Sequence, residues 1–311
     1  MKLISIVTPC YNEEDNVEKL YEIVKEIMAK KLPNYNYEHI FIDNASQDAT
    51  VKILKKIAIN DKNIKIIINS RNFGHLRSPV YGMFQASGDA IILLVADLQD
   101  PPETIPLFVK KWEDGDDIVL AIKESSEENR LMFSLRKLYY GILSSLSEIE
   151  IFQNFTGFGL YDKKAMDAIK QLKDPYPFFR GMVAEIGFKV SKIKYSQPVR
   201  KRGETKNDFY TLYDAGVLGI ISNSKIPLRV AIFTGFTFGI LSFLIGLGYF
   251  IVKLIYWDQM DLGTAPLIIV TSFMFSILLF FVGIVGEYIG AIYTQLLNRP
   301  LVFEKERVNF E

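Results

Sequence analysis

The stretch "AIILLVADLQDPPE", residues 90–103, joins an apolar run to an acidic turn that contains two prolines. The run "AIILLVA" has the length and the continuous apolar character of a strand buried on both faces, which is typical of a parallel sheet. It ends at Asp97, so a carboxylate stands at the exit of a buried strand. In an open α/β sheet the ligand crevice lies outside the carboxyl ends of the strands. The stretch therefore predicts a parallel sheet and places Asp97 in its crevice.

Strand-like and helix-like patterns alternate around this stretch. The other strand-like runs are "LISIVTP", "YEHIFID", "NIKIIIN" and "DIVLAI". Helical patterns fill the intervals between these strands. They cover residues 14–31 and 76–86, and a third begins after Ser46, which could cap it. Apolar strands interleaved with helices indicate a mostly parallel sheet that is covered on both faces. The predicted fold class is therefore α/β, in a Rossmann-like arrangement.

Polar clusters follow three of the predicted strands. They are "PCYNE" after the first strand, "DNASQD" after the second and "DLQD" after the fourth. Because these residue types also favour turns, one such cluster alone is explained as a satisfied turn. Three clusters at the same edge of a sheet favour a ligand site. Asp97 and Gln99 offer the oxygen ligands that suit Mg²⁺ or Mn²⁺, and such metals are commonly shared with substrate phosphates.

Composition argues against a nucleic-acid-binding protein and against a disulfide-stabilised protein. Lysine plus arginine and aspartate plus glutamate number 36 each, so no net charge attracts nucleic acid. The single cysteine, Cys10, excludes an intramolecular disulfide. The N-terminal "MKLISIVTPCYNEE" has too short an apolar run for a signal peptide. We therefore expect no nucleic-acid partner and a soluble part that faces the cytoplasm.

Two long runs without charged residues lie in the last third of the chain, at residues 230–252 and 262–286. Each exceeds the roughly 20 residues that a helix needs to cross the hydrocarbon core of a membrane. The alternative, a pair of buried core helices, conflicts with their length. We predict transmembrane helices at residues 230–256 and 264–290, joined by a short external loop at residues 257–263.

Positive charges at the flanks set the predicted orientation. Lys225 and Arg229 precede the first run, and Arg299, Lys305 and Arg307 follow the second. Because such residues stay in the cytoplasm, both termini are expected there. The predicted organisation is a cytoplasmic catalytic domain at residues 1–206, a juxtamembrane amphipathic segment at 207–229, the two helices with their loop, and a cytoplasmic tail at 291–311.

Several motifs of the chain resemble those of a known enzyme family, in the same order along nearly the whole chain. They are "VTPCYNEEDN", "IDNASQDAT", "RNFGH", "ADLQDPPE", "RKRGETK", "SKIPLR", "GEYIG" and "NRP". The chain resembles the family 2 glycosyltransferases of the GT-A fold. It is most similar to their polyprenyl-phosphate glycosyltransferase branch, which includes dolichyl-phosphate mannose synthase and bacterial undecaprenyl-phosphate glucosyltransferases. The resemblance implies a GT-A domain followed by two transmembrane helices in the inner (cytoplasmic) membrane.

The resemblance also implies an activity and roles for particular residues. The activity is inverting transfer of a hexose from a UDP- or GDP-sugar to undecaprenyl phosphate on the cytoplasmic leaflet, with Mg²⁺ or Mn²⁺. Relatives suggest a homotetramer. The implied donor-binding residues are Pro9, Tyr11, Glu13, Asp43, Asn44, Arg71, Asp97 and Gln99. The implied metal ligands are Asp97 and Gln99, and the implied catalytic residues are Asp97, Arg136 and Arg200.

Cationic side chains are the candidates for holding the acceptor phosphate, because guanidinium forks match phosphate oxygens. The candidates are Arg130, Arg136, Arg200, Arg202 and Lys206. The alternative for this cluster is a patch that faces anionic lipid headgroups.

Three positions depart from the family pattern. Asn44 replaces the second aspartate of "VDDGS", Val95 replaces the first aspartate of "DAD", and Phe158 stands where relatives often carry an aspartate. An inactive membrane scaffold is therefore an alternative. A polysaccharide synthase fits poorly, because its hydroxyl acceptor needs a general base and two spans make a poor channel. A phosphate acceptor is largely dianionic at neutral pH and needs no base.

Overall fold

The computed structural model describes residues 1–124, 152, 154–196, 226–256 and 264–310. Within these residues the strands form one eight-stranded sheet. The strands are β1 (Leu3–Cys10), β2 (Asn36–Asp43), β3 (Ile64–Asn69), β4 (Ala90–Leu93), β5 (Ile118–Lys123), β6 (Phe155–Asp162), β7 (Val190–Tyr195) and β8 (Glu304–Val308). The α/β fold class predicted from the sequence is confirmed.

The sheet has the strand order β7-β5-β6-β4-β1-β2-β3-β8. Strands β4, β1, β2 and β3 are parallel neighbours, and β5 pairs with β7 in parallel. Strands β6 and β8 pair antiparallel with their neighbours. In the register of the parallel core, Cys10 at the end of β1 lies opposite Asp43 at the end of β2. The loops that leave these strands therefore begin side by side at one edge of the sheet.

Helices cover both faces of the sheet. They are α1 (Val17–Lys31), α2 (Thr50–Asn60), α3 (Gly74–Phe84), α4 (Ile105–Glu113), α5 (Lys163–Gln171) and α6 (Phe179–Glu185), with a 3₁₀ turn at Pro102–Thr104. Neighbouring residues of β1 face opposite ways, so Ile6 and Val7 belong to different clusters of buried apolar side chains. The Ile6 cluster contains side chains of α1, α2 and α4, and the Val7 cluster contains those of α3, α5 and α6. The sheet is thus buried on both sides, as its continuous apolar strands predict.

Two long apolar helices follow the first seven strands in sequence: α7 (Ile226–Ile255, 30 residues) and α8 (Thr264–Leu296, 33 residues). Among the described residues, one helical stretch, Phe273–Leu296 in α8, is long and apolar enough to cross a membrane, with a mean hydropathy of 2.1. The apolar stretch found in α7, Ile226–Ser242, is shorter. Helices thus occupy both predicted spans, but two membrane crossings are not confirmed.

The segment after α8 returns to the sheet, which the sequence analysis did not predict. Strand β8 pairs antiparallel with β3 at the edge of the sheet. The Asn309 side chain donates hydrogen bonds to the carbonyl oxygens of Ala58 and Ile64, each at 2.8 Å. Val302, just before the strand, is only 4% exposed. The sheet domain is therefore built from both ends of the chain.

Candidate active site

The loops after β1 and β2 are interlocked by hydrogen bonds. The backbone N–H of Asn12 donates to Ser46 Oγ at 2.9 Å, and the N–H of Gln47 donates back to Asn12 Oδ1 at 2.8 Å. The N–H of Glu13 donates to Thr50 Oγ1 at 2.9 Å. Asn12 has a φ of 55°, a left-handed conformation that asparagine tolerates better than most residues. Two of the predicted polar clusters are thereby brought together.

Pro9, Tyr11 and Glu13 lie at the start of this interlocked region. Pro9 is the penultimate residue of β1 and lies opposite Ile42 of β2. Tyr11 and Glu13 follow the strand, and both are half-buried. The Glu13 carboxylate accepts a hydrogen bond from Asn16 Nδ2 at 2.6 Å, and its carbonyl accepts from the N–H of Asn16 at 2.9 Å. These bonds fix Glu13 at the entrance to helix α1.

Asp43 ends strand β2 and is fully buried. Its carboxylate accepts hydrogen bonds from the N–H of Ser46, at 2.9 Å, and from the Ser46 hydroxyl. Burial raises the pKa of Asp43, and the bonds from Ser46 oppose that rise. The Cys10 thiol beside it is also buried, and burial raises the pKa of this thiol well above its usual value.

Asn44 follows Asp43 and connects β2 to the loop after β3. Its Oδ1 accepts hydrogen bonds from the N–H of Phe73 at 2.9 Å and from Asn69 Nδ2 at 3.1 Å. Its Nδ2 donates to Asn72 Oδ1 at 2.8 Å and to the Gly74 carbonyl at 3.3 Å. The side-chain amide of Asn44 therefore binds the "RNFG" loop on its buried side. The sequence alone did not predict this role.

Arg71 lies on that loop and is exposed. Its Nη1 donates to the Asn72 carbonyl at 3.0 Å, and its guanidinium lies 4.0 Å from the centre of the Phe73 ring. The five acceptor-phosphate candidates, Arg130, Arg136, Arg200, Arg202 and Lys206, all lie outside the described residues.

The turn after β4 presents Asp97 and Gln99, which are both half-buried. The N–H of Gln99 donates to Asp97 Oδ1 at 3.1 Å, and Leu98 between them has a φ of 59°. The turn therefore places the Asp97 carboxylate and residue Gln99 two positions apart on one turn. No group of three or more acidic, histidine or cysteine side chains suited to a metal occurs in the described parts of the chain. The pair fits an oxygen-preferring divalent metal whose remaining ligands come from substrate phosphates and water.

Asp100, a second carboxylate of this turn, was missed by the sequence analysis. It is 3% exposed and accepts a hydrogen bond at 3.0 Å from the hydroxyl of Tyr195, the last residue of β7. Burial raises the pKa of Asp100 to about 7, and the negative charge of Asp97 adds to the rise. Asp100 could have been suspected from the sequence, because it is the second acidic residue of the motif "DLQD". Its hydrogen-bond partner, Tyr195, lies 95 residues away in sequence.

Phe158, one of the three departures from the family pattern, lies in the apolar core. It is 1% exposed and packs edge-on against Phe108, with ring centres 5.0 Å apart, and against Tyr195, at 5.6 Å. The position where relatives often carry an aspartate is therefore part of the apolar core of this protein. Val95, at the other departure, is half-buried just after β4.

The fold and these loops together identify the class of protein. The protein is an α/β protein whose polar loops, with a carboxylate–amide pair, lie at the carboxyl edge of a mostly parallel sheet, where ligands bind in such folds.

Comparison with known proteins gives the family. A family model described as glycosyl transferase family 2 matches residues 5–170. The chain belongs to this family and is a glycosyltransferase.

Similar proteins extend the match beyond the family model. The chain is 35% identical over 308 residues to an uncharacterised glycosyltransferase, YkcC, of Bacillus subtilis, covering 99% of this chain and 94% of the relative. It is 33% identical over 298 residues to a prophage-derived bactoprenol glucosyl transferase of Shigella flexneri, covering 96% of each. Among solved structures, TarS of S. aureus in complex with UDP-GlcNAc matches with 17% identity and a TM-score of 0.43, over 72% of this chain and 68% of that chain.

Proposed function

We propose that this glycosyltransferase moves a hexose from a nucleotide-diphosphate sugar to a polyprenyl phosphate on the cytoplasmic leaflet of the membrane. The observation that carries the proposal is the near full-length similarity to proteins named bactoprenol glucosyl transferase, at 32–33% identity. The match includes the apolar helices as well as the catalytic sheet, since it covers 96–98% of this chain.

The donor is proposed to bind at the carboxyl edge of the parallel strands. Pro9, Tyr11, Glu13 and Asp43 would contact the nucleoside, which is supported by their common position on the two interlocked loops. Asn44 would act through the "RNFG" loop, because all the hydrogen bonds of its amide go to Asn69 and that loop.

Asp97 and Gln99 are proposed to bind Mg²⁺ or Mn²⁺ together with the donor diphosphate. The metal, when bound, neutralises negative charge that develops on the leaving nucleoside diphosphate. The bond from the Gln99 backbone N–H to Asp97 Oδ1 holds the Asp97 carboxylate on this turn before the donor arrives. Because the described ligand set is small, we expect weak binding of free metal and stronger binding in the presence of the donor.

The acceptor is proposed to be a phosphate and not a hydroxyl group. Phe158 lies in the apolar core, so that position supplies no base to deprotonate a hydroxyl. A phosphomonoester, with a second pKa near 6, is already a nucleophile at neutral pH. Its attack on the anomeric carbon from the side opposite the diphosphate would invert the configuration. Arg136 and Arg200, with Arg130, Arg202 and Lys206, remain the proposed acceptor-phosphate residues.

Membrane binding through both α7 and α8 is supported by the path of the chain. Strand β3 precedes the two helices in sequence and β8 follows them, yet β3 and β8 pair in one sheet. They must therefore lie on the same side of a membrane, which requires an even number of crossings between them. If α8 crosses the membrane, a second crossing is required, and α7 is the long apolar helix that could supply it among the described residues. Inner-membrane location and a tetrameric assembly remain part of the proposal.

A transfer assay tests the function. Full-length protein in detergent would be incubated with undecaprenyl phosphate, Mg²⁺ or Mn²⁺, and a panel of radiolabelled UDP- and GDP-sugars. We expect labelled lipid from one donor, lost on chelation and reduced at least about 100-fold in Asp97→Asn. Asp114→Asn is the matched control, because Asp114 is an exposed aspartate at the end of α4. Donor binding without transfer to any lipid phosphate would contradict the proposal and favour a non-catalytic scaffold.

A further inference from the structure

The segment that follows helix α8 contacts the "RNFG" loop before it enters strand β8. The N–H of Ser70 donates to the Phe303 carbonyl at 2.8 Å. The rings of Phe73 and Phe303 lie with their centres 6.2 Å apart. Arg77 Nη2 donates to the Pro300 carbonyl at 2.8 Å. Three different kinds of contact therefore fix residues 70–77 to the chain that leaves the apolar helix.

The opposite side of this loop is held by Asn44. The N–H of Phe73 donates to Asn44 Oδ1, while Asn44 Nδ2 donates to Asn72 Oδ1 and to the Gly74 carbonyl. The backbone N–H of Asn44 in turn donates to the Cys10 carbonyl at 2.9 Å. The loop is therefore clamped between the ends of β1 and β2 on one side and the segment after α8 on the other.

Residues 70–73 form no helix or strand, and helix α3 begins only at Gly74. Arg71, Asn72 and Gly74 are exposed, and Gly74 has a φ of 86°. Exposed segments with few internal bonds open at low free-energy cost. Ordering such a segment only when a ligand binds lowers the affinity for that ligand.

We propose that Phe303 and Arg77 are positioning residues for the donor site. By holding the "RNFG" loop against Asn44, they keep it in its donor-binding conformation and connect the cytoplasmic end of α8 to donor affinity. This inference rests on the proposed function, in which that loop contributes to donor binding. Neither residue needs to touch the donor, because their contacts are with the loop and with the returning chain.

The variants Phe303→Ala and Arg77→Met test this role in the full-length protein. Phe303 is 59% exposed, so its truncation removes little core packing. Methionine keeps the apolar stem of Arg77 and removes the donors to Pro300. The matched control is Glu306→Gln, which removes the ion pair between Glu306 of β8 and Lys55 at 2.7 Å but none of the contacts that Pro300 and Phe303 make with the loop.

Two readouts separate positioning from general stability. Hydrogen exchange at the amides of residues 70–74 should be about tenfold faster in both variants and unchanged in the control. The KM for the nucleotide sugar should rise about five- to tenfold, with kcat changed less than about twofold.

Unchanged exchange in the loop, or equal acceleration in Glu306→Gln, would overturn the proposal. So would faster exchange without a change in donor KM. A wild-type protein that binds no nucleotide sugar would contradict the proposed function. In that case the hydrogen-exchange rates of residues 70–74 would still show whether the segment after α8 orders the loop.

Discussion

The amide of Asn44 has four hydrogen-bond partners, at Asn69 and on the loop after β3. Two of them, Asn72 Oδ1 and the Gly74 carbonyl, are acceptors that receive hydrogen bonds from Nδ2. An aspartate, which the family pattern has at this position, has no such donor when ionised. In this chain the neighbours of residue 44 therefore suit an asparagine, because they offer acceptors to its Nδ2.

Replacing Asn44 with Asp is expected to impair the protein, although it restores the family residue. The new carboxylate oxygen would face two acceptors, Asn72 Oδ1 and the Gly74 carbonyl, in place of two hydrogen bonds, at a cost of about 1–3 kcal/mol. We expect a melting temperature lower by about 3–10 °C and a higher donor KM. Thermal unfolding and initial-rate kinetics would measure both. Asn34→Asp, the same change at an exposed site, is the control. Improved donor or metal affinity in Asn44→Asp would contradict this account.

At the residue scale, local sequence predicted which turns carry polar side chains but not which partners they meet. Asp97 and Gln99 are close together because they share one turn, which spacing alone predicts. Asp100 accepts a hydrogen bond from Tyr195, and the amide of Asn44 is held by residues 25–30 positions away. Such pairings depend on which strands become neighbours, so they emerge only from the fold.

At the element scale, the five strands with continuous apolar runs, β1 to β5, were predicted, whereas β6, β7 and the edge strand β8 were not. Its sequence "EKERV" is dominated by charged residues, and its middle three residues are exposed. Charged side chains are common on edge strands because they discourage pairing with other molecules. They also remove the apolar signal by which the strands of the parallel core are found.

Helix α5 illustrates how one side chain stabilises two elements. Asp162, at its N-cap, accepts a hydrogen bond from the N–H of Lys164 at 2.9 Å. The same carboxylate accepts from Trp112 Nε1, on α4, at 2.7 Å. It thus satisfies an orphan donor of the first helical turn and ties α5 to α4 across the sheet edge.

We expect Asp162→Ala to lower the melting temperature by about 3–8 °C, because a cap and a bond to Trp112 are lost together. Asp162→Asn should lose less, since its amide oxygen still accepts from one of the two donors. Thermal unfolding of both variants, with tryptophan fluorescence as the probe, would measure the difference. Equal losses in the two variants would show that capping contributes little here.

At the scale of the whole molecule, a buried histidine makes stability depend on pH. His39 is fully buried in β2, its Nε2 lies 2.9 Å from Thr8 Oγ1, and its Nδ1 has no hydrogen-bond partner in the described structure. Burial lowers the pKa of His39 from 6.5 to about 3, and the charge of Asp61 only partly opposes this. The unfolded chain therefore binds a proton near pH 6.5, while the folded chain binds it only near pH 3.

Between these values the unfolded state holds more protons, so the free energy of unfolding falls as the pH falls, by up to about 1.4 kcal/mol per pH unit from this group. The contribution is fully present above pH 6.5. Urea unfolding at pH 7 and pH 5 would measure it. His39→Gln keeps a partner for Thr8 and cannot titrate, so its stability should fall less over the same interval. Identical pH dependence in the two proteins would show that His39 is not the responsible group.

The membrane topology is the broadest consequence of the fold. Because β8 pairs with β3, any position on β8 must lie on the same side of a membrane as helix α2, however many times the chain crosses between them. Ile59 on α2 is 74% exposed, and Lys305 on β8 is exposed as well. Single cysteines at these two positions should therefore always report the same side. A third cysteine, at residue 259 in the predicted external loop, should report the other side if both α7 and α8 cross.

The native chain suits this experiment, because its single cysteine, Cys10, is 4% exposed and burial raises its pKa well above the usual value. We expect a membrane-impermeant maleimide to label Gln259→Cys in intact spheroplasts. Ile59→Cys and Lys305→Cys should react only after the membrane is opened, and the wild-type protein should not react in either case. If Gln259→Cys is protected like the other two, neither helix crosses. If Ile59→Cys and Lys305→Cys report opposite sides, the pairing of β3 with β8 does not exist in the membrane-bound protein, because no sheet can span the bilayer from one face to the other with open edges.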